Sequence, residues 1–142
     1  MAITQGVAYS FKSEILSGTH NLASGGNTIK LALYKSTAVI GPTTTSYTTG
    51  SEVTSPAGYS AGGKALVNTG TSVASSVAIT DFSDLSFTNV TLTARGALIY
   101  NTSNSNSAVA VLDFVSDKTA TAGTFTIQFP AYTTSAAILR IS

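Results

Sequence analysis

The chain reads as all-β, a β-sandwich or jelly-roll-like barrel with one short N-terminal helix. Three observations predict it. Apolar and polar residues alternate strictly along 124–129, Ile29, Leu31 and Leu33 repeat that period of two, and tracts of Gly, Asn, Ser and Thr punctuate the apolar runs. Helical periodicity is confined to residues 11–16, where Phe11 and Ile15 stand four apart. Ser10 is placed to cap that helix and Gly18 to stop it.

The elements follow in order. Residues 1–10 carry Ile3, Val7 and Tyr9 with no charge, and are expected to form an arm that orders on a neighbour. Together with the helix they define an N-terminal segment, 1–25, ahead of a single β domain, 26–142. In the strand around 29–34, Ile29, Leu31 and Leu33 share one face, with Lys30 and Tyr34 opposite. The Thr/Ser-rich stretches 42–51 and 70–76 read as loops. Along 85–92 the pattern changes phase, because Leu85 and Phe87 share one face and Val90 and Leu92 the other. A slip of one residue reverses a strand's side chains, so a bulge is expected near Thr88 and Asn89. Residues 96–100 and 108–114 are more continuously apolar, as strands covered on both faces are. The tract 101–107 joins them as a hairpin with a long polar tip. Phe125, Ile127 and Phe129 line one face of a strand that Pro130 ends, and 137–141 closes the chain with another.

Composition excludes much. Thirteen charged side chains stand against 43 Ser and Thr in 142 residues, whereas a soluble domain is usually about a quarter charged. The net charge is +1, and the seven Lys and Arg, from Lys12 to Arg140, are never adjacent. Nucleic-acid binding draws affinity from clustered cations, so it is not expected. No apolar run reaches the roughly 18 residues of a membrane helix, and the N-terminus lacks the basic and apolar regions of a secretory signal. With no cysteine, disulfides, iron–sulfur clusters and thiolate zinc sites are excluded. No metal or other cofactor is expected.

Few residues carry candidate chemistry. Residues 58–65 satisfy the G-x-x-x-x-G-K spacing of a phosphate-binding loop, but Ala65 stands where a magnesium-binding hydroxyl belongs. Pro56 lies close before the segment, and Leu66 and Val67 read as strand rather than helix, so a tight glycine turn is expected. His20 is the one histidine; a general base would need a nucleophile and an orienting acid, and no G-x-S-x-G elbow presents a serine. It is expected to face solvent or pack a loop. Asp81 with Asp84, and Asp113 with Asp117, are close carboxylate pairs. Either could supply oxygens to calcium or act as paired acids, but both read as turn-forming aspartates, Asp117 beside the opposite charge of Lys118. Asn89 and Asn101 head glycosylation tripeptides. Tyr47 and Tyr59 sit in loops where exposed rings could stack on sugars, although partial burial is the commoner fate.

A β domain with few charges has little with which to guard its strand edges. Neutral Ser, Thr and Ala surfaces can be desolvated without stripping ions of water, which suits permanent contacts with other subunits.

Several segments, residues 11–16, 29–34, 58–66, 94–100, 108–114 and 123–130, resemble in order a family of small virion proteins of tailed double-stranded DNA phages. The resemblance implies a capsid decoration or cement protein, non-enzymatic and bound to the outside of the head. It further implies a homotrimer that bridges neighbouring major capsid protein subunits, in the virion after assembly in the host cytoplasm, with residues 1–25 a possible anchor. The family supplies no catalytic residue to carry over. A carbohydrate-binding or host-adhesion module of a phage tail or head fibre is the alternative, with the loop 42–51 presenting Thr and Tyr to sugars. A hydrolase using Asp81, Asp84 or His20 is the third reading.

Overall fold

A computed structural model describes residues 2–54 and 58–141. Among the described residues, two antiparallel sheets and a single short helix make up the regular structure, the all-β class that the sequence predicts. The larger sheet contains β1 (Gly6–Val7), β2 (Ile29–Tyr34), β3 (Lys64–Ala65), β6 (Leu85–Asn101) and β7 (Ser107–Ile127) in the order β1-β7-β6-β2-β3. The smaller contains β4 (Asn68–Ala74), β5 (Val77–Phe82) and β8 (Leu139–Ile141) in the order β4-β5-β8. One apolar core joins them, drawing Ile29, Leu31, Leu33, Leu98 and Val109 from the large sheet and Phe82 and Leu139 from the small one.

The sheet is built on the hairpin of β6 and β7, 17 and 21 residues long. Strands usually run about 3–10 residues. The two apolar runs at 96–100 and 108–114 pair as expected, Leu98 opposite Val111 and Asn101 opposite Ser107. Pairing then continues to Leu85 opposite Ile127, so residues 85–92 and 124–127 prolong the same two strands, and the strand expected to run through Phe129 ends two residues earlier. Bulges make that length possible. Phe87 pairs with Phe125 but Val90 with Gly123, and Asn89 sits at φ 53°. This is the bulge expected from the phase change, and it returns Leu85, Phe87, Val90, Leu92 and Ala94 to one buried face. A larger bulge, residues 114–117, stands opposite Arg95.

Helix α1 spans Tyr9–Leu16. It begins at Ala8 without a side-chain cap, and Ser10 lies inside the first turn with its hydroxyl buried and unpartnered. The expected Ser10 cap is therefore corrected. The chain enters the helix directly from β1, where Ala8 N–H donates to Val109 O and Tyr9 N–H to Pro42 O, each within 2.9 Å. These tertiary contacts satisfy two of the backbone donors left without intrahelical partners at the helix start. Gly18, at φ 79°, ends the helix as expected. Residues 2–25 lie against the chain's own sheet: β1 pairs with β7, Ile3 bridges Ile40, and Phe11 and Leu22 join the core.

The reading of 70–76 as a loop is also corrected. Those residues form most of β4 and a two-residue turn, Ser75 and Ser76, at φ 51° and 65°. The chain closes as expected, with β8 paired to β5.

Candidate functional site

Four places concentrate polar or exposed apolar side chains: a histidine node, a buried carboxylate, an apolar groove and the open face of the long hairpin.

His20 is buried, its ring tilted against Phe11 with centroids 4.8 Å apart. Asn101, wholly buried at the end of β6, fixes its tautomer. The amide nitrogen of Asn101 donates to Nδ1 of His20 and to Oδ1 of Asn27, both at 2.9 Å, while its Oδ1 accepts the Ser103 N–H. With Nδ1 accepting, Nε2 carries the proton and donates to Glu14 at 2.9 Å. Both ring nitrogens are thus committed to protein partners, and no serine hydroxyl is bonded to either. His20 packs a loop, as one expectation had it, and does not face solvent. The hairpin tip is correspondingly not a free polar loop. Thr102 N–H donates to Thr28 O, Thr28 N–H to Ser103 Oγ, and the Asn104 amide to Thr19 O. Asn101 is inaccessible to a glycan, whereas Asn89 is exposed at its bulge.

Glu52 is the functional-looking residue that sequence reasoning missed. It is 5% exposed, and its carboxylate accepts the Tyr47 hydroxyl at 2.7 Å and the Gly62 N–H at 2.8 Å. Tyr47 stacks on Tyr100 with centroids 4.7 Å apart. Tyr100 in turn donates to Gly62 O, Tyr59 accepts the Leu33 N–H, and Tyr34 donates to Thr48 O. Burial first, with the Glu52 charge adding to it, raises the phenol of Tyr100 to about 12. Tyr34, Tyr47 and Tyr59 rise further, again chiefly through burial. Tyr47 and Tyr59 are therefore inward-facing supports, not exposed sugar platforms. Among the described residues of the G-x-x-x-x-G-K segment, Gly62 and Gly63 turn at φ 92° and 78° into β3, as the turn reading expects. A Cβ on Gly63 would lie 1.7 Å from Leu31 O, so glycine is required there by the close approach to β2. Pro56 lies outside the described residues.

The carboxylate pairs serve turns and ion pairs. Asp81, 1% exposed, accepts the Phe82 N–H, and its other oxygen has no partner. Burial raises its pKa, opposed in part by the nearby backbone N–H groups of Phe82 and Ile138. Asp84 accepts the Phe129 N–H. Asp113 and Asp117 flank Arg95, at 3.8 and 3.6 Å, so Asp117 pairs across the hairpin rather than with Lys118. Among the described residues no three His, Asp or Glu side chains converge as a metal site.

A groove of about 800 Å³ runs between α1 and the small sheet, with Phe11, Ile15, Ile79 and Leu139 inside it and Leu16 and Ile141 open to solvent. The half of the β6–β7 hairpin away from its tip turns a hydroxyl face outward. Ser86 bonds Thr126 and Thr93 bonds Thr119 across the strands at 2.9 Å, and Thr91 accepts the Ala122 N–H. No charged side chain occurs in 85–94 or 119–127.

Comparison with protein-family models, with curated proteins and with solved structures found no match.

Proposed function

We propose that this chain is a non-catalytic structural subunit, a decoration protein that sits on the outer surface of a phage head and stabilises the shell by bridging major capsid protein subunits. The observation that carries the reading is the neutral hydroxyl face of the β6–β7 hairpin, Ser86, Thr88, Thr91 and Thr93 beside Thr119, Thr121, Thr124 and Thr126. Hydroxyls bonded to one another across strands are held in place before any partner arrives. Such a face sheds water without desolvating an ion, so it suits broad permanent contact. Many copies, each contributing weak contacts, would then act together through valency. The commitment of both His20 ring nitrogens and of the Glu52 carboxylate to internal hydrogen bonds fits a subunit with no reaction to perform.

The test is to purify heads with and without the protein. Retention at a copy number fixed by the shell's symmetry, with depleted heads breaking at lower temperature, supports the reading. Heads of equal stability, with the protein found elsewhere, overturn it.

A host-adhesion or carbohydrate-binding module is the second reading. It is favoured by a cleft of about 610 Å³ whose lining combines Phe114, Phe125 and Phe129 with Gln5 and Gln128. Binding of the isolated protein to host cells or glycans, lost in Phe114→Ala, would support that reading over a shell role.

A further inference from the structure

We infer that strand β4 pairs antiparallel with β4 of a second copy of this chain, about a two-fold axis through Ser72. The inference deepens the reading of the chain as an assembly subunit and rests on it only in requiring contact with another subunit.

The free edge is unusual within this molecule. The large sheet ends in β1 and β3, two residues each, and β3 carries Lys64. Short strands and lysines are the ordinary means of blunting a sheet edge. The small sheet ends in β4, seven residues long, with β5 its hydrogen-bonded neighbour. Residues 71–76 are all exposed, Val73 to 71%, and nothing from Val67 to Thr80 is charged or proline. β5 is buried from Ile79 to Phe82, whereas β4 beside it contributes no buried residue and leaves its outer edge to solvent.

Hydrogen-bond parity then selects the register. Ser75 and Ser76, both at positive φ, form the tight two-residue turn of the primed type. Such a turn makes the Ala74–Val77 pair hydrogen-bonded, and alternation makes Ser72–Ile79 the next bonded pair. Thr71 and Val73 therefore direct their backbone N–H and C=O away from β5. With Ser72 opposite its own copy, Thr71 of each chain faces Val73 of the other, and each such pair exchanges both backbone bonds. The facing side chains are β-branched Thr and Val, a favourable cross-strand pair, and small serines meet at the axis. No like charges meet, because the strand has none, and the two small sheets become one continuous six-stranded sheet.

The absence of cysteine makes the test direct. At the axis the two Ser72 residues form a non-hydrogen-bonded pair with Cα atoms about 4.5 Å apart, within disulfide reach. Ser72→Cys in the full chain should oxidise to a covalent dimer, and Ser76→Cys, in the turn, should do so at least tenfold more slowly. Sedimentation should give a dimer for the natural sequence. Ser72→Lys, which sets like charges opposite each other on an exposed strand, should weaken the dimer at least tenfold while leaving the circular dichroism of the fold unchanged. A monomer or trimer, a Ser72→Cys protein that does not cross-link, or a dimer untouched by Ser72→Lys overturns the pairing. The shell reading fails separately: a cross-linkable dimer that heads do not retain overturns the shell and leaves the pairing, and a monomer that heads retain does the reverse.

Discussion

The Tyr47 hydroxyl donates to both oxygens of the buried Glu52 carboxylate, at 2.7 and 3.1 Å. The Gly62 N–H approaches the same carboxylate from the opposite loop. Glu52 thereby ties the loop at 42–51 to the glycine turn before β3, and Tyr100 closes the circuit from β6 through Gly62 O. Removing the acceptor leaves the buried Gly62 N–H and the part-buried Tyr47 hydroxyl unpaired, the first costing about 1–3 kcal/mol and the second less. Glu52→Ala should therefore destabilise the chain by about 2–4 kcal/mol, and Glu52→Gln, which keeps one acceptor oxygen, by about half as much. Urea denaturation of the two variants beside the natural sequence measures both values.

The same cluster sets an alkaline limit. Tyr34, Tyr47, Tyr59 and Tyr100 all have phenols raised by burial, that of Tyr100 to about 12. Above about pH 10 an unfolded tyrosine loses its proton while these retain theirs. The unfolded state then binds fewer protons than the native one, so stability falls as pH rises. Tyrosinate absorbance should show these four phenols resisting ionisation until the fold opens, then titrating together with the loss of circular dichroism.

Sequence legibility followed local pattern. Phe125 and Ile127 announced their strand because one face is core and the other is water, with Phe129 left beyond its end, and the slip between Phe87 and Val90 announced its bulge for the same reason. β4 escaped because it buries almost nothing, which leaves an Asn-Thr-Gly-Thr-Ser-Val-Ala strand indistinguishable from a loop. Its turn uses Ser75 and Ser76 where primed turns normally declare themselves with Asn and Gly. Glu52 and Asn101 escaped for another reason. Their partners come from residues such as Gly62 and His20, and no spacing rule links positions 20 and 101. The length of the hairpin was hidden at Arg95 and the bulge opposite it, where a polar interruption looked like the end of one strand and the start of the next.

Asp81 makes the acid side testable. One of its oxygens is buried without a partner, and burial raises its pKa. A raised native value means that the stabilising contribution is complete below about pH 4, the ordinary carboxylate range, and is lost as pH rises through the native value. Asp81→Asn keeps an acceptor for the Phe82 N–H and removes the charge. The variant should gain stability relative to the natural sequence on going from pH 4 to pH 7, a double difference that thermal melts at the two pH values measure. An unchanged difference would show that Asp81 keeps the same protonation in the native and unfolded chains.

Val115 occupies the left-handed region at φ 71°, where a β-branched side chain is most strained, and it is 75% exposed. Its surroundings hold it there: its N–H donates to Asp113 at 2.8 Å, and Asp113 and Asp117 flank Arg95 across the hairpin. Such strain costs about 1–3 kcal/mol, while the exposed side chain contributes little burial in the isolated chain. Val115→Gly should relieve the strain and, after the added flexibility of the unfolded glycine, stabilise the protein by about 0.5–1 kcal/mol. Denaturant midpoints measure that gain. Under the proposed shell role, an exposed valine at a strained position suits a contact with a neighbouring subunit, and the same variant should then be retained less well on heads while melting higher in solution. Loss of stability in Val115→Gly would mean instead that Val115 holds the bulge together.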